Sequence, residues 1–398
     1  MKIAVVSHVL PPAGAGQAVV IYRLLQCADA NSYCLISPAE GASDSANRRY
    51  AGSLPGRVYR LPRTRGLTRG YRFGMQHLRE GINIPLAVIQ VARQIRQIVS
   101  RERCDAIVAC TGEVSLLPAA WLASRRLRVP LYAYIFDHYS YREWQSAAAG
   151  FWARRFEPIL MKYAARVIVP NEVLRDDLRA KYGVDPVVLH NSFDLSSYQP
   201  RVEPACETTH DEIKILYTGE IYEAHFDAFR NLISAINSLH RSNVRLHIYS
   251  NRSATDLEKL GIAGPVVAHA GLPLTEMPQL QMNADLLFLP LAFTSPYPDL
   301  VRTSSTTKLG EYLASGTPVL VHAPKDSFVS WYCREFDCGM VVDKDSPGDL
   351  STAIERVLSD CELTNRLTTN AWDRACADFN IVTSRAKFAE IVGLQKAY

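Results

Sequence analysis

The chain has 398 residues, 48% of them apolar and 21% charged, with a formal net charge of +4. That length exceeds one ordinary core and suits two domains, and the composition is that of a folded protein rather than a disordered one. No run reaches the ~18 apolar residues of a membrane span, and Met1–Leu10 lacks the apolar core of a signal peptide.

In chain order, Lys2–Ser7 reads as a buried strand, followed by the tight loop Pro11-Pro12-Ala13-Gly14-Ala15-Gly16 and a helix over Gln17–Gln26. Leu35–Ser37 is a short strand, and Ile84–Arg101 a helix with apolar residues three and four apart. Ala106–Ala109, Leu131–Phe136, Val167–Val169 and Val187–Leu189 read as further strands, separated by helices over Val114–Ser124, Arg154–Ala164 and Glu172–Lys181. Ser196–Asp211, with two prolines and little apolar content, reads as a linker. The alternation then restarts with strands at Ile213–Tyr217, Arg245–Tyr249, Val266–Ala268, Leu286–Leu289, Pro318–Val321 and Met340–Val342. Its helices are Phe226–Leu239, Asp349–Ser359, Leu363–Phe379 and Ser384–Leu394. Two blocks of alternating strands and helices imply two parallel-sheet α/β domains with ligand sites at the carboxyl ends of the strands.

Charge is divided unevenly. Residues 1–200 hold 26 Lys and Arg against 15 Asp and Glu, whereas residues 201–398 hold 18 against 25. Arg57, Arg60, Arg63, Arg65, Arg69, Arg72 and Arg79 fall in a stretch without an acid, interleaved with Tyr59, Leu61, Leu67, Tyr71, Phe73 and Met75. Such a stretch suits an anionic membrane surface or a phosphorylated partner, or is a solvated loop. No nucleic-acid reader motif accompanies it. The nine cysteines form no C-x-x-C pair, which points to a reducing cytoplasm and against a metal site. Asp343-Lys344-Asp345 has the form of a metal-holding acid pair, but Ser346-Pro347 follows at once, so these acids read as the entrance to a helix.

The segment Thr306–Val321 is the most informative. It reads as a loop feeding a short helix, Lys308 to Ala314, stopped by Ser315-Gly316, with Pro318 opening a strand. A helix start suits a phosphate. Glu311, one turn in, can accept from sugar hydroxyls, so the unit reads as a nucleotide site.

These residues carry a resemblance. Lys308-Leu309-Gly310-Glu311-Tyr312-Leu313-Ala314-Ser315-Gly316-Thr317-Pro318-Val319 is its strongest part. The Gly14–Gly16 loop, Phe136-Asp137-His138, Val188–Asp194, Ile215–Gly219, His269–Leu272 and Ala284–Leu286 stand around it in order. The chain resembles the GT-B glycosyltransferases of the retaining family-4 type (glycosyl transferases group 1). The resemblance implies two Rossmann-like, doubly wound parallel-sheet domains facing across a cleft. It implies an acceptor-side domain over 1–195, a linker over 196–211, a nucleotide-sugar domain over 212–380 and a last helix within 381–398 that crosses back to the first.

By the same resemblance Glu311 grips the ribose, and the backbone and hydroxyls of Ser304, Ser305, Thr306 and Thr307 receive the diphosphate. Gly219, Ser250, Asn251, Gly271 and Leu272 contact the rest of the nucleotide-sugar. Arg302 and Lys308 supply positive charge, His138 with Asp137 handles the acceptor, and Gly14, Ala15 and Gly16 form an acceptor or phosphate loop. The expected reaction moves a sugar, with retention, from a nucleotide-sugar to a glycan or lipid-linked acceptor. Its setting would be bacterial surface polysaccharide or glycoconjugate synthesis, in the cytoplasm at the inner face of the membrane, with no metal and no cofactor. Two departures stand out. Thr303 occupies the place of the first acid of an E-x7-E pair, and the loop Glu220-Ile221-Tyr222-Glu223-Ala224-His225 lacks the usual Arg and Lys. A catalytically degenerate module that binds glycan or a partner enzyme, and a nucleotide-sugar epimerase, are therefore the alternatives.

Overall fold

The structure is a computed structural model and describes residues 1–38, 52–66, 76–140, 144, 146–199, 211–239 and 241–394, without the side chains of 76–78. Residues 67–75 of the arginine-rich stretch and 200–210 of the expected linker lie outside it. The chain forms two compact units, Met1–His190 with Val382–Tyr398, and Asn191–Ile381.

The first unit runs β1 (Ile3–Val6), α1 (Gly16–Leu25), β2 (Tyr33–Pro38), β3 (Arg57–Leu61), α2 (Gln76–Glu102), β4 (Ala106–Cys110) and α3 (Leu116–Leu127). It continues with β5 (Leu131–Tyr134), α4 (Ala147–Tyr163), β6 (Arg166–Val169), α5 (Glu172–Tyr182) and β7 (Val187–Val188). Its seven strands lie in the order β3-β2-β1-β4-β5-β6-β7, and every pairing is parallel. Val5 and Val6 of β1 sit opposite Leu35 and Ile36 on one side and Val108 and Ala109 on the other. Burial on both faces explains why the central strands are apolar throughout.

The second unit runs β8 (Ile213–Thr218), α6 (Phe226–Ser238), β9 (Val244–Ser250), α7 (Ala254–Lys259), β10 (Val266–Ala270), α8 (Met277–Met282), β11 (Leu286–Pro290) and α9 (Pro298–Thr303). It ends with α10 (Lys308–Ala314), β12 (Val319–His322), α11 (Phe328–Glu335), β13 (Met340–Val342), α12 (Pro347–Ser359) and α13 (Cys361–Asp378). Its six strands are ordered β10-β9-β8-β11-β12-β13, again all parallel. A last helix, α14 (Ile381–Val392), follows. Arg385 Nε on it donates to the Arg23 carbonyl at the end of α1 at 2.7 Å.

Both sheets reverse their strand order once, between β1 and β4 and between β8 and β11, which is where ligands collect in such sheets. This is the pair of Rossmann-like sheets of the GT-B fold.

Three departures from the sequence reading have local causes. Arg57–Leu61, read as part of a basic loop, is an edge strand: Val58 is exposed and Arg57 reaches Glu102 at 3.0 Å, so charge and a strand coexist. Helix α2 runs through Pro85 from Gln76 rather than starting at Ile84, and α4 starts at Ala147 rather than at Arg154. Arg302 and Thr303, which the sequence reading placed in no element, belong to α9, which begins with Pro298. Among the described cysteines seven are free, with Cys34 Sγ and Cys104 Sγ 3.6 Å apart, but Cys361 is disulfide-bonded, against the thiol-only reading.

Candidate functional site

In the second unit the site forms where β8 ends. The Tyr312 hydroxyl, wholly buried on α10, accepts the Thr218 backbone N–H at 3.0 Å and lies 3.2 Å from the Thr218 hydroxyl. α10 itself ends as the sequence implies, with Gly316 at φ 72° past Ser315. Gly310 lets it pack flush on Phe379, whose ring lies 2.7 Å from where a Cβ would stand.

Gly219 follows Thr218 with φ 113°, a conformation that side chains rarely adopt. A Cβ there would stand 2.7 Å from Lys308 Cε and 2.9 Å from Nζ. The Lys308 amine also sits 5.1 Å above the Tyr217 ring. It forms no ion pair among the described residues. Although Lys308 keeps some accessible surface, protein surrounds its amine: burial pulls its pKa down to about 8, against the milder opposing pull of Glu311 and Glu220. A cation held so deep without a carboxylate beside it is costly unless an anion arrives.

His225, the residue before α6, adds to this pocket. It is 5% exposed, its ring is 4.2 Å from Tyr222 and 6.0 Å from Tyr217, and its Nδ1 is buried with no hydrogen-bond partner among the described residues. Burial, reinforced by the charge of Lys308, pulls its pKa to about 3, so the imidazole is neutral.

The remaining residues expected in this unit divide into several groups. Glu311 is buried in the first turn of α10, 9% exposed, on the same helix as Lys308. Ser304, Ser305, Thr306 and Thr307 are half-buried in the segment entering it. The Thr306 hydroxyl accepts the Lys308 backbone N–H at 3.3 Å, and Asn191 Nδ2 donates to the Ser305 carbonyl at 2.7 Å. Thr303, expected at the sugar, is wholly buried and its hydroxyl donates to the Asp299 carbonyl at 2.8 Å. Arg302 is 3.8 Å from Asp299, one turn back on α9, and so differs from Lys308 in having a carboxylate beside it.

Ser250 is buried, and its hydroxyl accepts the Arg252 backbone N–H at 3.2 Å. Asn251 donates to the Glu220 carboxylate, which ties that acid to the β9 loop. Gly271 and Leu272 are half-buried just past β10.

In the first unit Gly14, Ala15 and Gly16 are exposed at the start of α1, which has neither a capping side chain nor an acid in its first turn. Asp137 is half-buried. His138 is enclosed, 2% exposed, with Nε2 2.9 Å from the Asp177 carboxylate of α5. Sequence reasoning passed over His8, whose ring lies 2.3 Å from where a Gly112 Cβ would stand, at the β1/β4 reversal. It also passed over His225, noting only that its loop lacks Arg and Lys; buried histidine gives no local sequence signal.

The acids of Asp343-Lys344-Asp345 are spent on protein partners. Asp343 pairs with Arg334, Asp345 accepts from Asn231 at 2.6 Å, and Ser346 caps α12. Among the described residues no cluster of three or more His, Cys, Asp or Glu is placed to hold a metal ion.

Residues 15–197 match the model of Glycosyltransferase Family 4, and residues 212–360 match that of Glycosyl transferases group 1. No curated protein matches the sequence. Solved structures similar to this one include sucrose-phosphate synthase from Thermosynechococcus elongatus, 15% identical with a TM-score of 0.69 over 98% of both chains. Another is HepE from Anabaena in complex with UDP-glucose, 17% identical with a TM-score of 0.68 over 99% of this chain and 100% of that one. A third is a UDP-forming α,α-trehalose-phosphate synthase from Burkholderia xenovorans in complex with glucose-6-phosphate, 14% identical, TM-score 0.67, covering 98% and 99%. At such identities the likeness speaks for the fold.

Proposed function

We infer that this chain, which belongs to the family-4 and group-1 glycosyltransferases and has their GT-B fold, moves a sugar with retention from a nucleotide-sugar bound by its second unit. The acceptor is a glycan or a lipid-linked sugar handled by the first unit, as in bacterial surface polysaccharide synthesis. The observation that carries this reading is Lys308: an amine lodged against Gly219 and Tyr217, on the same helix as Glu311, with no ion pair among the described residues.

A departing nucleoside diphosphate gains negative charge as the sugar–oxygen bond breaks, and a preplaced cation in a dry pocket stabilises that charge. Lys308 fills this role for want of an Arg or Lys in the loop after Gly219. Amides and hydroxyls of Ser304–Thr307 share the diphosphate, and Glu311 accepts from the ribose hydroxyls. His225, neutral and close by, offers a hydrogen bond rather than a charge. The HepE complex with UDP-glucose supports a uridine donor as the first to try.

The reading is tested by thermal stabilisation with UDP-, GDP- and ADP-sugars, followed by transfer assays with lipid-linked and soluble glycan acceptors. A ligand at 100 times its dissociation constant adds about 2.7 kcal/mol. Stabilisation by one donor and transfer of its sugar support the assignment. Binding without turnover favours the degenerate module, to which the inward Thr303 hydroxyl also points. Turnover without an acceptor favours an epimerase, and no nucleotide binding at millimolar concentration overturns the donor site.

A further inference from the structure

Helices α2, α3 and α4 pack side by side over one face of the first sheet, and their outer surface is unusual in two ways. First, it exposes large apolar side chains in a group. Ile82, Leu86 and Ile89 are 45%, 39% and 41% exposed, spaced four and three apart, so they form one stripe along the first half of α2. Phe151 is 58% exposed in the first turns of α4, and that part of α4 meets the start of the stripe, since the neighbouring Trp152 indole donates to the Gly81 carbonyl on α2 at 2.8 Å.

Second, the same surface is basic, with no exposed acid among the described residues of the three helices themselves. Arg93, Arg96 and Arg101 continue the exposed face of α2, Arg154, Arg155 and Lys162 that of α4, and Arg125 and Arg126 close α3. Arg63 and Arg65 come alongside, since Gln90 on α2 binds both the N–H and the carbonyl of Arg65, at 2.9 and 2.7 Å. The carboxylates on these helices are withdrawn. Glu102 is bound to Lys2 and Arg57, Glu157 is buried with Lys181 and Tyr182, and Glu80 is half-buried.

Position completes the argument. Helices α2 and α4 follow parallel strands β3 and β5, so their first turns lie at the carboxyl ends of the strands, the same end as the Gly14–Gly16 loop and His138. The apolar stripe is therefore at the acceptor end of the unit, and most of the arginines lie farther down the same face.

We propose that this α2–α4 face docks the first unit on an anionic lipid bilayer, with Ile82, Leu86, Ile89 and Phe151 entering the acyl boundary and the surrounding arginines meeting lipid headgroups. Apolar insertion beside positive charge is what binds an interfacial surface, each component weak alone. On the proposed function, this orientation would present the acceptor end to a lipid-linked sugar. The docking also differs from what the arginine stretch itself suggests, since Arg57 is already bound to Glu102.

Co-sedimentation of the full chain with vesicles tests the proposal without any activity readout, so its failure is distinct from failure of the donor site. The unmodified chain is expected to bind vesicles containing phosphatidylglycerol and to leave pure phosphatidylcholine vesicles in solution, with binding falling as salt rises. The triple substitution Ile82→Ser, Ile89→Ser, Phe151→Ser should lower partitioning at least about tenfold, judged by the apolar area removed. Arg154→Glu with Arg155→Glu should weaken it severalfold. Unchanged melting temperatures and unchanged nucleotide binding show that the variants are folded. No sedimentation with anionic vesicles, equal binding to neutral ones, or full binding by the triple variant would each overturn the proposal. So would a concentration-dependent dimer abolished by the triple substitution, which would assign the face to a second copy of the chain.

Discussion

The buried hydroxyl of Tyr312 accepts the backbone N–H of Thr218 at 3.0 Å, joining residues 94 positions apart. This one bond fastens the helix carrying Lys308 and Glu311 to the strand end that carries Gly219.

Removing that hydroxyl should therefore loosen the site as well as the fold. Tyr312→Phe leaves a buried N–H unpartnered, and denaturant titration should show a loss of about 1–3 kcal/mol. Nucleotide affinity should fall too, although no ligand atom is removed. Unchanged stability and affinity would mean that the bond does not organise the site.

Gly219→Ala places a Cβ at a positive φ and against the Lys308 side chain. The strain costs about 1 kcal/mol or more, and the amine must move. Calorimetric titration with a nucleoside diphosphate should show at least about tenfold weaker binding, roughly 1.4 kcal/mol. Combined with Lys308→Met, the two losses should be less than additive because they act through one group. Strict additivity would separate the glycine from the lysine.

Lys308→Met should weaken a nucleoside diphosphate by about 1.5–3 kcal/mol, the worth of a hydrogen bond to a charged group. It should leave the matching nucleoside unaffected. Glu311→Ala should weaken both by about 1–3 kcal/mol, because its proposed partner is the ribose. Equal effects of Lys308→Met on nucleoside and diphosphate would remove Lys308 from the phosphate site.

The pH dependence follows from the lowered pKa values. Lys308 loses its proton near pH 8, so diphosphate affinity should fall as pH rises through about 8. Stability moves the other way. From about pH 8 to the unperturbed lysine value the unfolded chain holds the proton that the folded chain has lost, so this group favours folding more as pH rises. His225, neutral in the fold down to about pH 3, costs stability as pH falls below its ordinary value of 6.5. An affinity profile flat from pH 7 to 9 would contradict the Lys308 assignment.

Much of this was legible in the residues. The apolar runs between helices forecast both parallel sheets, because strands covered on two faces must be apolar throughout. Lys308–Ala314 emerged with the bounds that its Ser315-Gly316 stop implies. Edge strand β3 was hidden because an edge tolerates arginine at exposed positions, and α2 was started late, at Ile84, beside a proline that the helix absorbs.

The roles of the charged residues were not legible, for a physical reason. A sequence shows that Arg302, Lys308, His138 and His225 exist, but their chemistry depends on what encloses and neutralises each. Asp299 stands by Arg302, Asp177 takes His138 Nε2, and burial pulls down the pKa values of both Lys308 and His225. Asp177 comes from 39 residues beyond His138, and α2 meets α4 where the Trp152 indole donates to the Gly81 carbonyl, 71 residues away. Periodicity and turn chemistry act over a few residues, so the chain by itself determined its two sheets and the helix bearing Glu311. Burial and pairing act across the folded unit, so only the tertiary structure decided which cation is enclosed without an ion pair among the described residues and which surface remains apolar.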